Sequence, residues 1–296
     1  MTARRWSGNS FRSIARSPGA APRRRDDAAA SLAMTTDAVA ILERPGAHYP
    51  SAPPYHPPVA YPELPFTRET DASNQVYAAV RETLMLLGLD REHQGTRAWN
   101  PFRELIRPGD RVFLKPNMIS HRHRLRDEWD YVVTHGSVIR AVADYVILAL
   151  EGRGRLMLGD APQTDSNWDL LVERMGLNAI HAHFAERHPG IAFELLDLRD
   201  EYHVEKDGIY VETRRLAGDP RGGVAVDLGD RSLFHELDAK PRRYYGAYYD
   251  WAETNRHHSD GRHEYKISRS ALEADVFISV PKLKTHKKCG LTVNLK

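Results

Sequence analysis

Lys282, Lys284 and His286 occupy every second position just after the apolar run Val276-Phe277-Ile278-Ser279-Val280 and Pro281. In an extended backbone alternate side chains share a face, so two ammonium groups and an imidazole would line one side. Such a set suits a phosphate or carboxylate, and His286 could donate a hydrogen bond or move a proton. Thr285 between them and Gly290 beyond allow close approach of a ligand to hydroxyl and backbone. A second apolar run, Val112-Phe113-Leu114, leads through Lys115 and Pro116 to Asn117. A third, Leu156-Met157-Leu158, leads to Gly159-Asp160-Ala161-Pro162. Asp160 could hold a metal, a ribose hydroxyl or a lysine; its plainer role is a turn cap.

The bland alternative for the basic triad is a solvated loop. Its position favours a ligand, because open α/β sheets place their sites beyond the carboxyl ends of the strands. The expected ligand-binding residues are therefore Lys115, Asn117, Asp160, Lys282, Lys284 and Thr285, with His286 as the catalytic candidate. No metal site is assigned.

Other reactive side chains carry weaker patterns. Among the 15 histidines, none shows the i, i+4 pair with Glu of a zinc hydrolase. His121 and His123 alternate in a basic loop; His181 and His183 fall in a predicted helix, where that spacing puts them on different sides. His257-His258 with Asp260 and His263 is the set most suggestive of a metal, against a plain reading as solvated loop histidines. Cys289 sits beside Lys287 and Lys288, which would lower its pKa, yet a small loop residue is the simpler reading. Tyr244, Tyr245, Tyr248 and Tyr249, next to Arg242-Arg243, could stack on a sugar or base. Packing of an insertion onto the core is the preferred account. Gly152, Gly154 and Gly159 flank a strand instead of following it into a helix, so a dinucleotide fingerprint is rejected.

These tips need elements to hold them. The unalternating run 276–280 reads as a strand covered on both faces, ended by Pro281. Strands at 111–117, 156–158 and 191–196 alternate with helices over 74–89, 138–150 and from 168 to 176. That order predicts an α/β fold, a mostly parallel sheet with right-handed crossovers and flanking helices. The tips after Leu114, Leu158 and Val280 should then meet at one sheet edge. Residues 200–265, rich in charges and turn residues, read as a hairpin-rich insertion. Residues 45–66 interleave prolines with Tyr49, Tyr55 and Tyr61 and read as an extended wrap packed along the domain, whose span is 34–296. Residues 1–33 form an Arg-rich leader expected to be disordered. Arg4-Arg5 lacks a following apolar region, so an export signal is rejected, and Met34 is an alternative start.

Composition narrows the function. With 42 basic against 40 acidic residues the net charge is +2, short of a whole-protein nucleic-acid footprint. The single cysteine excludes an internal disulfide, a Cys-only zinc site and a cysteine-ligated iron–sulfur cluster within this chain. No apolar run approaches the ~20 residues of a spanning helix. The expectation is a cytoplasmic protein with no membrane partner.

Three segments together resemble the DUF362 family, prokaryotic proteins without an agreed activity. They are Val112-Phe-Leu-Lys-Pro-Asn117, Met157-Leu-Gly-Asp-Ala-Pro162, and Ala274 to His286 with Gly290-Leu-Thr-Val-Asn-Leu-Lys296. The Val-Pro-Lys-Leu-Lys-Thr-His block is the most specific, and the resemblance spans about Ala38 to Lys296. It implies an α/β domain and little about chemistry. Some similar proteins carry ferredoxin-like cysteine clusters, which this chain lacks. In them the final Leu-Lys is followed by Asn and a further glycine-containing stretch, so a C-terminal truncation or a split gene with a missing C-terminal half is expected. The functional expectation is binding of an anionic or phosphorylated small molecule, as an enzyme of unknown reaction. The alternatives are a non-catalytic ligand-binding or accessory protein and, more remotely, a nucleic-acid-binding module.

Overall fold

A computed structural model describes residues 3–7, 14–15, 38–123, 125–126, 128–237, 244, 251–286 and 290–292. The chain forms two compact units, Met1–Gly218 with Glu273–Lys296, and Asp219–Leu272. In chain order the elements are β1 (Ala3–Ser7), β2 (Ile14–Ala15), β3 (Ala38–Leu42), α1 (Gln75–Leu86), β4 (Arg111–Pro116), α2 (Gly136–Leu150), β5 (Gly154–Asp160), α3 (Trp168–Arg174), α4 (Leu177–Arg187) and β6 (Ile191–Asp197). There follow β7 (Glu201–Lys206), β8 (Ile209–Arg215), β9 (Gly223–Asp227), α5 (Trp251–His257), β10 (Glu264–Ser268), α6 (Arg269–Leu272), β11 (Val276–Val280), β12 (Lys284–His286) and β13 (Gly290–Thr292). Short 3-10 turns complete the set.

The larger unit is built on four parallel strands in the order β11-β4-β5-β6. The expected α/β architecture is therefore present. Successive βαβ crossovers carry the chain from β4 outward to β6, and the last strand returns to the opposite side of β4. Val112, Phe113, Leu114, Leu156 and Leu158 are fully buried, as interior strands covered on both faces require. Strand β11 departs from the expected continuous burial: Val276, Ile278 and Val280 are buried while Phe277 and Ser279 are half-buried. Its outer neighbour is only the two-residue β2, so one face of this outer strand is less covered. Phe277 covers one ring face with Phe113, the rings parallel and their centroids 5.8 Å apart.

Helix boundaries follow from capping. Asn74 Oδ1 accepts from Tyr77 N and starts α1. His135 Nδ1 accepts from Ser137 N and starts α2 two residues before the expected Val138. Glu151 in the left-handed region and Gly152 at φ 80° stop it. Helix α2 is buried almost all round, between the sheet and a layer made of α1 and the proline-rich stretch.

That stretch behaves as an extended wrap. Tyr55 and Leu64 lie in the core, and the buried Glu63 carboxylate accepts from Arg81 Nε at 2.6 Å and Tyr145 OH at 3.0 Å. The buried Arg140 guanidinium donates to Pro54 O at 2.9 Å and to both Asp144 oxygens. Proline-rich backbone has spare carbonyls because it forms no ladder, and here that of Pro54 accepts from a buried arginine.

Within the stretch read as a disordered leader, β1 pairs with β3 and β2 with β11; residues 16–37, with Met34, lie outside the described residues. Of the expected insertion, the β7–β8 hairpin belongs to the larger unit. Its turn is Asp207-Gly208, both at positive φ, the backbone a two-residue hairpin needs. The smaller unit runs from Asp219 to Leu272 and pairs β9 with β10. There Asp219 accepts from Arg221 N, Ser270 N, Ser268 Oγ and Ser270 Oγ, fastening the two ends of the unit together.

Candidate functional site

Parallel register places the ends of β11, β4 and β5 on one side of the sheet, and hydrogen bonds tie them together. Lys115 Nζ lies 2.8 Å from Asp160 Oδ1, joining the tips of β4 and β5. Asp160 Oδ2 accepts from Met118 N at 2.8 Å, and Oδ1 accepts from Ala161 N. Thr134 joins the other two tips: its hydroxyl donates to Val280 O at 2.6 Å and accepts from Asn117 N at 3.0 Å. The tip of β6 is fastened by buried Arg199, which forks onto Asp197 and donates to the carbonyls of Gln163 and Ser166. Asp160 thus does both things read from its position, turn cap and lysine partner.

Two buried acceptors stand at this edge without a hydrogen-bond partner among the described residues, Asn117 Oδ1 and Thr164 Oγ1. A buried polar atom left unsatisfied costs about 1–3 kcal/mol, so each invites a donor. Asn117 stands at the β4 tip with its backbone N–H committed to Thr134 and its side-chain oxygen open.

Lys282 turns toward a residue from the wrap. Its Nζ donates to Tyr49 OH at 2.8 Å and lies 4.8 Å from the ring centre. Tyr49 stacks on His135 with centroids 4.2 Å apart and planes 7° apart, and Trp129 stands 5.3 Å from His135 at 22°. The His135 imidazole is 4% exposed. Burial, and then the positive Lys282, push its pKa down to about 4, so the ring is neutral at pH 7. Nδ1 accepts at the helix start, which leaves the proton on Nε2. The sequence reading missed Tyr49, Trp129 and His135 as neighbours of Lys282. Their separation along the chain hid them; the one local signal was His135 at an N-cap position.

Lys284, Thr285 and His286 form β12, paired with β13 through Lys284↔Thr292, Thr285↔Leu291 and His286↔Gly290. Lys282, Lys284 and His286 are half-buried while Leu283 and Thr285 are exposed. The alternation expected from their spacing is present, and Thr285 faces the other way. Residues 287–289, with Cys289, lie outside the described residues, as do Tyr245, Tyr248, Tyr249, Arg242 and Arg243.

His121, His181 and His183 have structural partners. His121 Nδ1 accepts from Asn167 N at 3.1 Å and meets Ser166 Oγ. His181 meets Phe193 O and His183 meets Arg140, on different neighbours as the spacing implied. Burial and the Arg140 charge take the His183 pKa down to about 3. Among the described residues no group of three or more His, Cys, Asp or Glu is arranged to hold a metal ion, and no helix is long and apolar enough to cross a membrane.

The fold and its tips define an α/β domain with a polar cluster at the carboxyl edge of a parallel sheet. Among known proteins, the model of DUF362, a domain of unknown function, matches residues 235–296. The resemblance read from the sequence is borne out over that stretch, which includes β11 and the Lys282–His286 block. A thylakoid-associated protein of Synechocystis sp. is 26% identical over 191 residues, covering 64% of this chain and 39% of that protein. The chain therefore spans less than half the length of this relative. The expected C-terminal truncation is not borne out by these matches. No solved structure matches the chain.

Proposed function

We propose that the larger unit binds an anionic small molecule carrying both a phosphate or carboxylate and hydroxyl groups, at the carboxyl edge of its sheet. The observation that carries this reading is the bonded junction of the β4, β5 and β11 tips through Lys115, Asp160 and Thr134. Because Asp160 already balances Lys115, the net positive charge for an anion comes from Lys282 and from the half-buried face of β12. The start of the 15-residue α2 at the same edge adds positive potential. The open acceptors Asn117 Oδ1 and Thr164 Oγ1 suit ligand hydroxyls, which makes a sugar phosphate a better match than inorganic phosphate. Sites of this kind sit where open α/β sheets expose their strand ends.

Whether catalysis accompanies binding turns on His286, which lies on the same face as Lys282 and Lys284. The alternative is an accessory protein that holds the ligand without turnover. A nucleic-acid role through the Arg-rich leader is disfavoured by the near-neutral charge. The single cysteine fits a reducing compartment, so the cytoplasm is the proposed location. The relative's name points to thylakoids, and fractionation of cells carrying the native gene distinguishes the two.

The test is a thermal-shift series on the full chain with sugar phosphates, nucleotides and the corresponding unphosphorylated sugars. A ligand at 100 times its Kd should stabilise by about 2.7 kcal/mol. Stabilisation by phosphorylated compounds that is lost in Lys282→Ala and Lys284→Ala supports the reading. Equal shifts with unphosphorylated sugars, or none with any anion, overturn it.

A further inference from the structure

We propose that residues 49–54 form a strap over the larger unit that acid releases, because its two attachments need uncharged imidazoles at His135 and His183. At one end Tyr49 stacks on His135 with ring centres 4.2 Å apart. At the other, Pro54 O accepts from Arg140 Nη1 at 2.9 Å. Arg140 Nη2 in turn lies 2.9 Å from His183 Nε2. A guanidinium only donates, so His183 Nε2 is an acceptor and its proton sits on Nδ1. His135 Nδ1 likewise accepts, from Ser137 N. Protonating either ring puts an N–H where the fold requires a lone pair. Ser51, Ala52 and Pro53 between the two attachments are exposed, so the strap can lift without dragging core residues with it.

The hinge lies just beyond Pro54. Asn74 Nδ2 donates to the carbonyls of Tyr55 and His56, Asp71 N donates to Pro57 O, and Glu63 takes Arg81 and Tyr145. None of these bonds involves a histidine side chain, so acid acts on residues 49–54 and leaves the rest of the wrap in place. Lifting Tyr49 also withdraws the hydroxyl that holds Lys282. Release of the strap does not depend on the anion site proposed above.

The surrounding charges agree in sign. His183 faces Arg140 on α2, Arg187 on its own helix, His188 just after that helix, and His56 at the hinge; burial first, then all four, lower its pKa to about 3. His56 meets His183 edge to face at 5.6 Å and has Glu69 2.8 Å from its Nε2. Burial and Arg140 still lower its pKa against the pull of Glu69 and Asp144. Burial lowers that of His188 as well, against Asp144. Asp144 is already bonded to Arg140 and Tyr77. His135 faces Lys282, and burial with that charge takes it to about 4. Both clamping rings thus protonate more easily once uncovered, and the open form gains protons as pH falls below 6.5.

The test is papain digestion of the full chain at pH 7.5 and pH 5.0, with cut sites read by mass spectrometry. Each rate is divided by that of a free peptide of residues 45–60 at the same pH, which removes the protease's own pH dependence. An imidazole that protonates only in the open form favours opening by about 30-fold at pH 5.0. Normalised cutting within residues 49–54 should therefore rise at least about 10-fold, while cutting at the Asp207-Gly208 turn stays level. His135→Asn with His183→Gln keeps an acceptor at each place without a titrating ring; once circular dichroism shows it folded, it should lose the rise. His181→Gln should keep it. Cutting of the parent that does not change with pH, or that rises evenly along the chain, overturns the proposal with no variant needed, and so does a full rise in the folded double variant.

Discussion

Lys115 and Asp160 form a 2.8 Å ion pair across neighbouring parallel strands, but the two ends of that bond are unequal. The Asp160 side chain is 12% exposed and also satisfies the amides of Met118 and Ala161; the Lys115 side chain is 42% exposed. Removing the carboxylate strands a buried N–H, whereas removing the ammonium loses a half-solvated charge. Asp160→Ala should therefore cost about 2–3 kcal/mol, and Lys115→Met less than about 1 kcal/mol. Urea denaturation midpoints measure both. Equal losses would mean that the ion pair, and not the capping of Met118, holds the strand ends together.

The sequence made this edge legible because each tip follows an apolar run and carries its polar residue at a fixed distance from it. Lys115, Asp160 and Lys282 were found from local pattern alone, since parallel strands must end on the same side. Thr134, Tyr49, Trp129 and His135 were not found. Thr134 has no periodic signal, and its role depends on contacts with Asn117 and Val280 that only the folded sheet creates. Tyr49 was read as part of the extended wrap, and the hydroxyl that meets Lys282 lies 233 positions away in sequence. The outer position of β11 was equally hidden: an apolar run of five looks the same in a central strand and at a sheet margin.

The depressed His135 pKa gives stability a pH dependence of defined sign. The folded ring protonates near pH 4 and the unfolded one near 6.5. Between those values the unfolded chain binds more protons, so stability falls as pH drops from about 6.5 to 4. The loss from this residue is about 1.4 kcal/mol per pH unit, roughly 3 kcal/mol in all. His183, lowered for similar reasons, adds in the same direction. Unfolding free energies at pH 7.0 and pH 5.0 should differ in that sense for the parent. The difference should shrink in His135→Gln, whatever that substitution does to stability at pH 7; an unchanged slope would show that His135 is accessible to protons in the fold.

Alongside the Glu63 bonds to Arg81 and Tyr145, Arg140 and Asp144 hold the wrap at Pro54. Both are buried, Tyr77 OH donates to Asp144 at 2.6 Å, and Arg140 donates onward to Pro54 O. Asp144→Ala leaves an arginine charge unpaired in the core, a loss of about 3–5 kcal/mol. It should also loosen residues 45–66, so limited proteolysis should cut there first. Replacing both residues with leucine and methionine should recover part of the stability without restoring protection of the wrap, because the bond to Pro54 would still be missing.

Gly136 opens α2 where the helix start meets the end of α3, and it separates steric from conformational demands on glycine. A Cβ there would stand 1.9 Å from Met175 O and 2.7 Å from the Tyr55 ring. Backbone cannot yield as a flexible side chain does, so Gly136→Ala must shift the start of α2. Overpacking of this kind costs about 1–3 kcal/mol or more. Gly152, at the other end of the same helix, has open space around it but sits at φ 80°. Gly152→Ala should cost about 1 kcal/mol from backbone strain alone. The two differ in reach as well as size. Displacing Gly136 moves His135 and Thr134, and through Thr134 the junction of Asn117 with Val280. Gly136→Ala should therefore weaken sugar-phosphate stabilisation beyond what its lower melting temperature explains, while Gly152→Ala leaves ligand affinity at the parent value. Matched affinities in the two variants would separate the helix start from the ligand site.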